Sequence, residues 1–171
     1  MKTVFESTRL KVKQALADGS VYENEPLLER ICEILTPSVV ENLPPYFHNI
    51  HSKAQAQQWL KQMLTESRLF VVELRSSEVI GFVFAYVESN DDVHIGYLLA
   101  EECWGQGFAS ELLSAFIEHS TQNESWNKLI GGVDPQNVAS ARLLKKLGFV
   151  ERLEEGNEAI FFEYHFANTS A

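Results

Sequence analysis

The run Trp104-Gly105-Gln106-Gly107-Phe108-Ala109 has the most chemically suggestive spacing in the chain. Two glycines set two apart let the backbone turn tightly and leave its N–H groups unshielded. At the start of a helix, those N–H groups and the macrodipole make an anion site suited to a pyrophosphate. Taken alone, the pattern fits a plain strand-to-helix turn equally well. It is not the phosphate loop of nucleotide hydrolases, which needs Gly-Lys-Ser/Thr. Nor is it a dinucleotide fingerprint, because Ser110 stands at the third small position and no βαβ unit precedes it.

Other residues with chemical potential are scattered. His94 lies in a strand-like run and is a proton acceptor near neutral pH. Glu158, beside the last strand, is a rival base. Ser140 follows Asn137 by three residues at a helix start, where a hydroxyl either caps or reaches into a neighbouring cleft. His48 and His51 have HxxH spacing, but no carboxylate or cysteine set accompanies them, so no metal is expected. Cys32 and Cys103 are far apart and read as free thiols of a reducing compartment. The expected location is therefore cytoplasmic.

These residues need elements to hold them. The alternation in Thr8–Lys13 predicts a first strand, and Pro26 to Leu43 one or two short helices started at Glu25-Pro26. Ser52 caps a helix whose Ala56, Trp59, Leu60, Met63 and Leu64 share a face. Leu69–Leu74, Val79–Val87 and Val93–Leu99, joined by short polar turns, predict an antiparallel meander. Phe108–His119 has helical periodicity, Leu129–Val133 is a short buried strand, and the helix through Ser140–Leu147 closes at Gly148. Phe149–Leu153 and Ala159–Phe166, joined by Glu154–Glu158, predict a final hairpin. The expected fold is α/β, with the crossover from Phe108 to Val133 parallel and right-handed.

The 171 residues, 45% of them hydrophobic, suit one domain spanning 1–171. There is no apolar run of about 18 residues, so no membrane span is expected. The N-terminal Met1–Ser7 lacks the apolar run of a signal peptide. A formal net charge of -10 argues against nucleic acid as a direct ligand and is compatible with a cationic partner.

Together, Thr8-Arg9-Leu10, His94-Ile95-Gly96-Tyr97-Leu98-Leu99, the Trp104–Ala109 loop and Asn137-x-x-Ser140 through Leu147-Gly148-Phe149 resemble the GNAT superfamily of acetyltransferases. The likeness is closest to the RimJ/RimL group, which acetylates N-termini of ribosomal proteins. Many superfamily members have Arg or Gln where Trp104 stands, but Trp is usual in that group. The resemblance implies a mixed, mostly antiparallel twisted sheet of about seven strands with four helices. Its cofactor cleft lies between splayed central strands, opened by a bulge at Gly96. It implies acetyl-CoA as cosubstrate. The pantetheine arm would pair with Leu98, Leu99 and Ala100, and the pyrophosphate would lie on Trp104, Gly105, Gln106, Gly107, Phe108, Ala109 and Ser110. Asn137 would hold the arm and Lys145 or Lys146 an adenosine phosphate.

Read with the resemblance, Ser140 becomes the acid that protonates the leaving thiolate, and His94 the base. From their position between the early helices, Tyr46, Phe47 and His48 are expected in the acceptor-binding loop, and Trp59 and Trp126 read as core. The acceptor is a primary amine, either a protein N-terminus or a small molecule such as a polyamine, amino acid or antibiotic. A silent acyl-CoA sensor is the reading from another class. The family further implies a homodimer.

Overall fold

The computed structural model describes residues 1–152 and 158–167. Among these, eight strands form one sheet in the order β1-β2-β3-β4-β5-β6-β8-β7. The strands are β1 (Lys2–Glu6), β2 (Leu10–Gln14), β3 (Arg68–Leu74), β4 (Val79–Val87), β5 (Asp92–Leu99), β6 (Lys128–Val133), β7 (Val150–Arg152) and β8 (Ile160–His165). The helices are α1 (Glu25–Ile34), α2 (Pro37–Val40), α3 (Lys53–Glu66), α4 (Phe108–Asn123) and α5 (Val138–Lys146). Every neighbouring pair of strands is antiparallel except β5 and β6, which are parallel and joined through α4.

The expected α/β sheet is present with one strand more than anticipated, β1. That edge strand has two apolar side chains, Val4 and Phe5, and an irregular register between Thr3 and Phe5. Its alternation is too broken to read from sequence. The anticipated hairpin exists as β7 and β8, while most of its connection lies outside the described residues.

Local signals explain the helix limits. Ser52 and Gln55 form a reciprocal capping box, with Ser52 Oγ accepting from Gln55 N at 3.1 Å. Asn24 and Thr36 cap α1 and α2. At the end of α5, Gly148 (φ 101°) takes the left-handed conformation. Phe149 N then donates to Leu144 O and Gly148 N to Lys145 O, which stops the helix.

The sheet buries both faces. Cross-strand partners share a face, so Leu69, Val71, Phe82 and Phe84 lie on one side, and Phe70, Val72, Val83 and Ala85 on the other. Trp59 of α3 packs on the first face, edge-on to Phe82 and Phe84. Phe116 of α4 packs on the second, against Phe70 and Trp126. Helices α3 and α4 thus clamp β3 and β4, and β5 pairs with β4 from Leu99 to Val93.

His119, one turn beyond Phe116, stacks on Phe5 of β1 at 5.1 Å. Burial holds its imidazole below the ordinary value; Glu124 opposes and Arg68 adds to that shift. A depressed histidine favours the neutral form in the fold, so its contribution is complete above about pH 6.5 and is lost as pH falls below that. Melting temperature should therefore fall between about pH 7.5 and about pH 5.5 more steeply in the wild type than in His119→Phe. Equal slopes in thermal melts of the two proteins would refute the assignment.

Candidate functional site

Strands β5 and β6 pair from Asp92↔Lys128 to Ile95↔Gly131 and then part. Beyond that point Gly96–Leu99 and Gly132–Val133 form two walls of a cleft of about 640 Å³. The parting needs no bulge. Pairing of β5 with β4 runs without a register shift from Gly81↔Leu99 to Val87↔Val93, with Gly96 opposite Phe84. The expected bulge at Gly96 is thus corrected: the ladder to β6 ends at Ile95↔Gly131, while β6 stays paired with β8 through Val133↔Ile160.

The alternation of hydrogen bonds along β5 decides which main-chain groups face the opening. Ala100 N donates to Ile80 O, so Ala100 and Leu98 are directed at β4, while Leu99 and Tyr97 are directed at the cleft. The Leu99 carbonyl accepts from the Trp104 indole N–H at 3.0 Å. Of the three residues expected to pair with an extended ligand, Leu99 is the one placed to do so, through its N–H. Ala100 is fully buried, and Leu98 contributes its side chain to the lining.

The glycine loop closes one end of the cleft. Gly105 (φ 72°) and Gly107 (φ 81°) are both left-handed, and Gly107 is the residue from which α4 starts. Trp104, Gly105 and Gly107 through Ser110 line the opening. The Gln106 side chain instead bonds the Glu102 carbonyl at 2.8 Å. Unshielded loop N–H groups, a sixteen-residue helix aimed into the cleft and an unpaired strand edge fit an elongated ligand bearing a pyrophosphate.

On the far wall, Asn137 and Ser140 both line the cleft. Asn137 Oδ1 caps α5 by accepting from Ser140 N at 3.2 Å, which leaves its amide N–H groups for a ligand. Ser140 Oγ lies 2.7 Å from the Tyr97 hydroxyl. Burial pushes the Tyr97 hydroxyl above its usual value, more than the bond to Ser140 lowers it, so the phenol is protonated at neutral pH. Sequence reasoning placed Tyr97 in the strand motif and overlooked its chemistry. The signal was available, since Tyr97 has the strand parity of Leu99 and so points its side chain toward the face that carries α4.

The remaining expectations fall elsewhere. His94 has the opposite parity, pairs with Tyr86 and Ile130 below the parting point, and is not part of the lining. Its ring, 40% exposed, sits 2.6 Å from Glu88 Oε1. Glu158 is exposed, and Lys145 places its ammonium 5.9 Å from the Phe162 ring, outside the lining. Phe47 is core, edge-on to Trp59 and Phe84, and His48 bonds the Leu43 carbonyl. The wall that faces the opening from the α1–α2 region lies earlier, at Ser38, Val39 and Glu41–Leu43. Trp59 and Trp126 are buried, as expected.

Comparisons with known proteins agree with this geometry. The acetyltransferase (GNAT) domain family matches residues 25–150. Over 112 residues the chain is 27% identical to the uncharacterized protein YkkB of Bacillus subtilis (strain 168); the match covers 60% of this chain and 65% of that protein. The chain thus spans less than two thirds of that relative's length. Among solved structures, the RimL ribosomal L7/L12 α-N-protein acetyltransferase in complex with coenzyme A superposes with a TM-score of 0.77. It is 16% identical, and the match covers 96% of this chain and 98% of that one. The SpeG spermidine N-acetyltransferase F149G mutant from Vibrio cholerae gives a TM-score of 0.69 at 18% identity, covering 91% and 93%. At such identities the likeness speaks for the fold.

Proposed function

Since the chain belongs to the acetyltransferase (GNAT) domain family, we propose that it transfers an acetyl group from acetyl-CoA to a primary amine, foremost the N-terminal α-amine of a protein. The observation that carries this reading is the 2.7 Å hydroxyl pair of Tyr97 and Ser140 on the cleft wall. Acetyl-CoA supplies the activated acyl group and a thiolate leaving group. Gly105 and Gly107–Ser110 hold the pyrophosphate, the Leu99 N–H pairs with the pantetheine amide, and Asn137 steadies the arm. Ser140 donates a proton to the leaving sulfur and is resupplied by Tyr97. The neutral amine attacks the thioester carbonyl directly; the C–N bond forms as the C–S bond breaks, the nitrogen sheds its extra proton to solvent in the cleft, and the hydroxyl pair regains one from solvent.

The acceptor follows from the bases at hand. Among the described residues that line the cleft there is no histidine, and the carboxylates are Glu41 and Asp134. An α-amine with an ordinary pKa near 8 is already partly neutral, while an alkyl amine near 10.4 costs roughly 4 kcal/mol to deprotonate. A site with weak bases therefore favours the α-amine. A polyamine is the second reading, supported by the same two carboxylates as partners for a distant ammonium group and by the SpeG-like fold.

Thiol release from acetyl-CoA, measured against a panel of N-terminal peptides, polyamines, amino acids and aminoglycosides, tests both readings. Peptides with free α-amines should turn over fastest, and their Nα-blocked forms not at all. Turnover confined to polyamines would move the assignment to the second reading. Tight CoA binding without turnover on any acceptor would leave a sensor instead of an enzyme.

A further inference from the structure

The N-terminal hairpin sends one side chain into the glycine loop. Arg9, just before β2, donates from Nη1 to the Gln106 carbonyl at 2.9 Å and from Nε to Glu111 Oε1 at 2.7 Å. Its guanidinium lies over the Phe108 ring, 4.1 Å from the centroid. Its main-chain N–H donates to Glu111 Oε2 at 2.8 Å, and the Ser7 hydroxyl donates to the same oxygen. Burial alone would raise the Glu111 carboxyl, but the bonds from Ser7 and Arg9 outweigh it and hold it below the usual range. The carboxylate is thus a fixed anchor for a planar fork that ends on the loop.

We propose that Arg9 is a positioning residue for pyrophosphate binding, acting on the loop from outside the cleft. The inference rests on the reading of the loop as the coenzyme A site. Its physical basis is one peptide plane. The Gln106 carbonyl and the Gly107 N–H belong to the same trans peptide and point in opposite directions. By drawing the carbonyl outward, Arg9 aims the Gly107 N–H inward, at the place of an incoming anion. Gly107 has the rotational freedom to turn that plane, so the glycine that opens the site also needs the arginine to stop it from wandering. The stack on Phe108, itself a residue of the cleft lining, fixes the next residue of the loop in the same way.

The test compares wild type, Arg9→Gln and Arg9→Lys for CoA affinity, and for KM and kcat with acetyl-CoA and with S-acetylpantetheine, which lacks the nucleotide. Arg9→Gln should weaken CoA about tenfold or more, the usual worth of a charge-assisted bond, with kcat at saturation held. KM for S-acetylpantetheine should stay at the wild-type value. Arg9→Lys should not restore affinity, because an ammonium cannot serve Gln106 and Glu111 in one plane. The inference is overturned if Arg9→Gln binds CoA within about twofold of wild type, if Arg9→Lys restores binding, or if the S-acetylpantetheine KM rises in step. Should Arg9→Gln fail to fold, Glu111→Gln, which frees the fork from its anchor, carries the same expectation at about threefold. A wild type that does not bind CoA would sink the cofactor reading itself, which the variants alone cannot do.

Discussion

Replacing Ser140 by alanine is expected to lower kcat about a hundredfold or more while acetyl-CoA affinity changes little. A proton is needed only as the thiolate departs, so the hydroxyl acts in the transition state and not in the ground state. The structure adds a partner, the half-buried Tyr97 phenol 2.7 Å away. Tyr97→Phe should therefore cost a similar factor, and Ser140→Ala/Tyr97→Phe little more than either single change, because the two hydroxyls work as one donor. Since the phenol is raised above the ordinary tyrosine value near 10, the rate should show no loss of the acid form below about pH 10. Stopped-flow thiol release across the pH range measures both effects. Wild-type turnover in Ser140→Ala, or strictly multiplicative losses in the double variant, would remove the pair from the chemistry.

Which parts of this site were legible in the sequence follows from the range of the interactions that build it. The glycine turn and the helix start at Asn137-x-x-Ser140 depend on contacts within a few residues, so spacing located both turns. The same holds for Ser52 and Gly148 at helix limits. The coenzyme role of the two turns came from the resemblance, and the capping by Asn137 from the structure. His94 was harder, because a strand assignment does not say where a ladder ends. Two residues separate His94 from the point where β5 leaves β6, and one step of parity puts its ring on the other face from Tyr97. The segment expected in the acceptor loop raises a related point. Aromatic Tyr46-Phe47-His48 looked like a recognition loop, yet Phe47 fills the space beside Trp59 and Phe84, a contact with no local signal. Arg9 was visible as part of a familiar Thr-Arg-Leu pattern, but its target lies 97 residues away in the chain.

Gly107→Val is the second decisive substitution, and it should raise the CoA dissociation constant about a hundredfold. At φ 81° and ψ 6° the residue is in the left-handed region, where a β-branched side chain is a genuine outlier. Space inside the protein is not the obstacle, because the nearest atom to an added Cβ is Arg9 Nη2 at 3.5 Å, an ordinary contact. The loop then has two responses. If it keeps its conformation, the fold loses about 1–2 kcal/mol and the new methyl groups press on Arg9, whose Nη2 is the atom nearest the added Cβ. If it relaxes to negative φ, stability is recovered, but the Gly107 N–H swings away from the cleft and the start of α4 is re-aimed. Both routes weaken CoA, and thermal melts of the free protein tell which was taken. Gly105→Ala is the internal comparison, since Gly105 has a similar φ of 72° and no atom within 4 Å of its added Cβ. It carries the backbone strain without the contact to Arg9, so thermal melts of the two variants separate the cost of the strain from that of disturbing Arg9. A Gly107→Val protein with wild-type CoA affinity would show that the anion lies elsewhere.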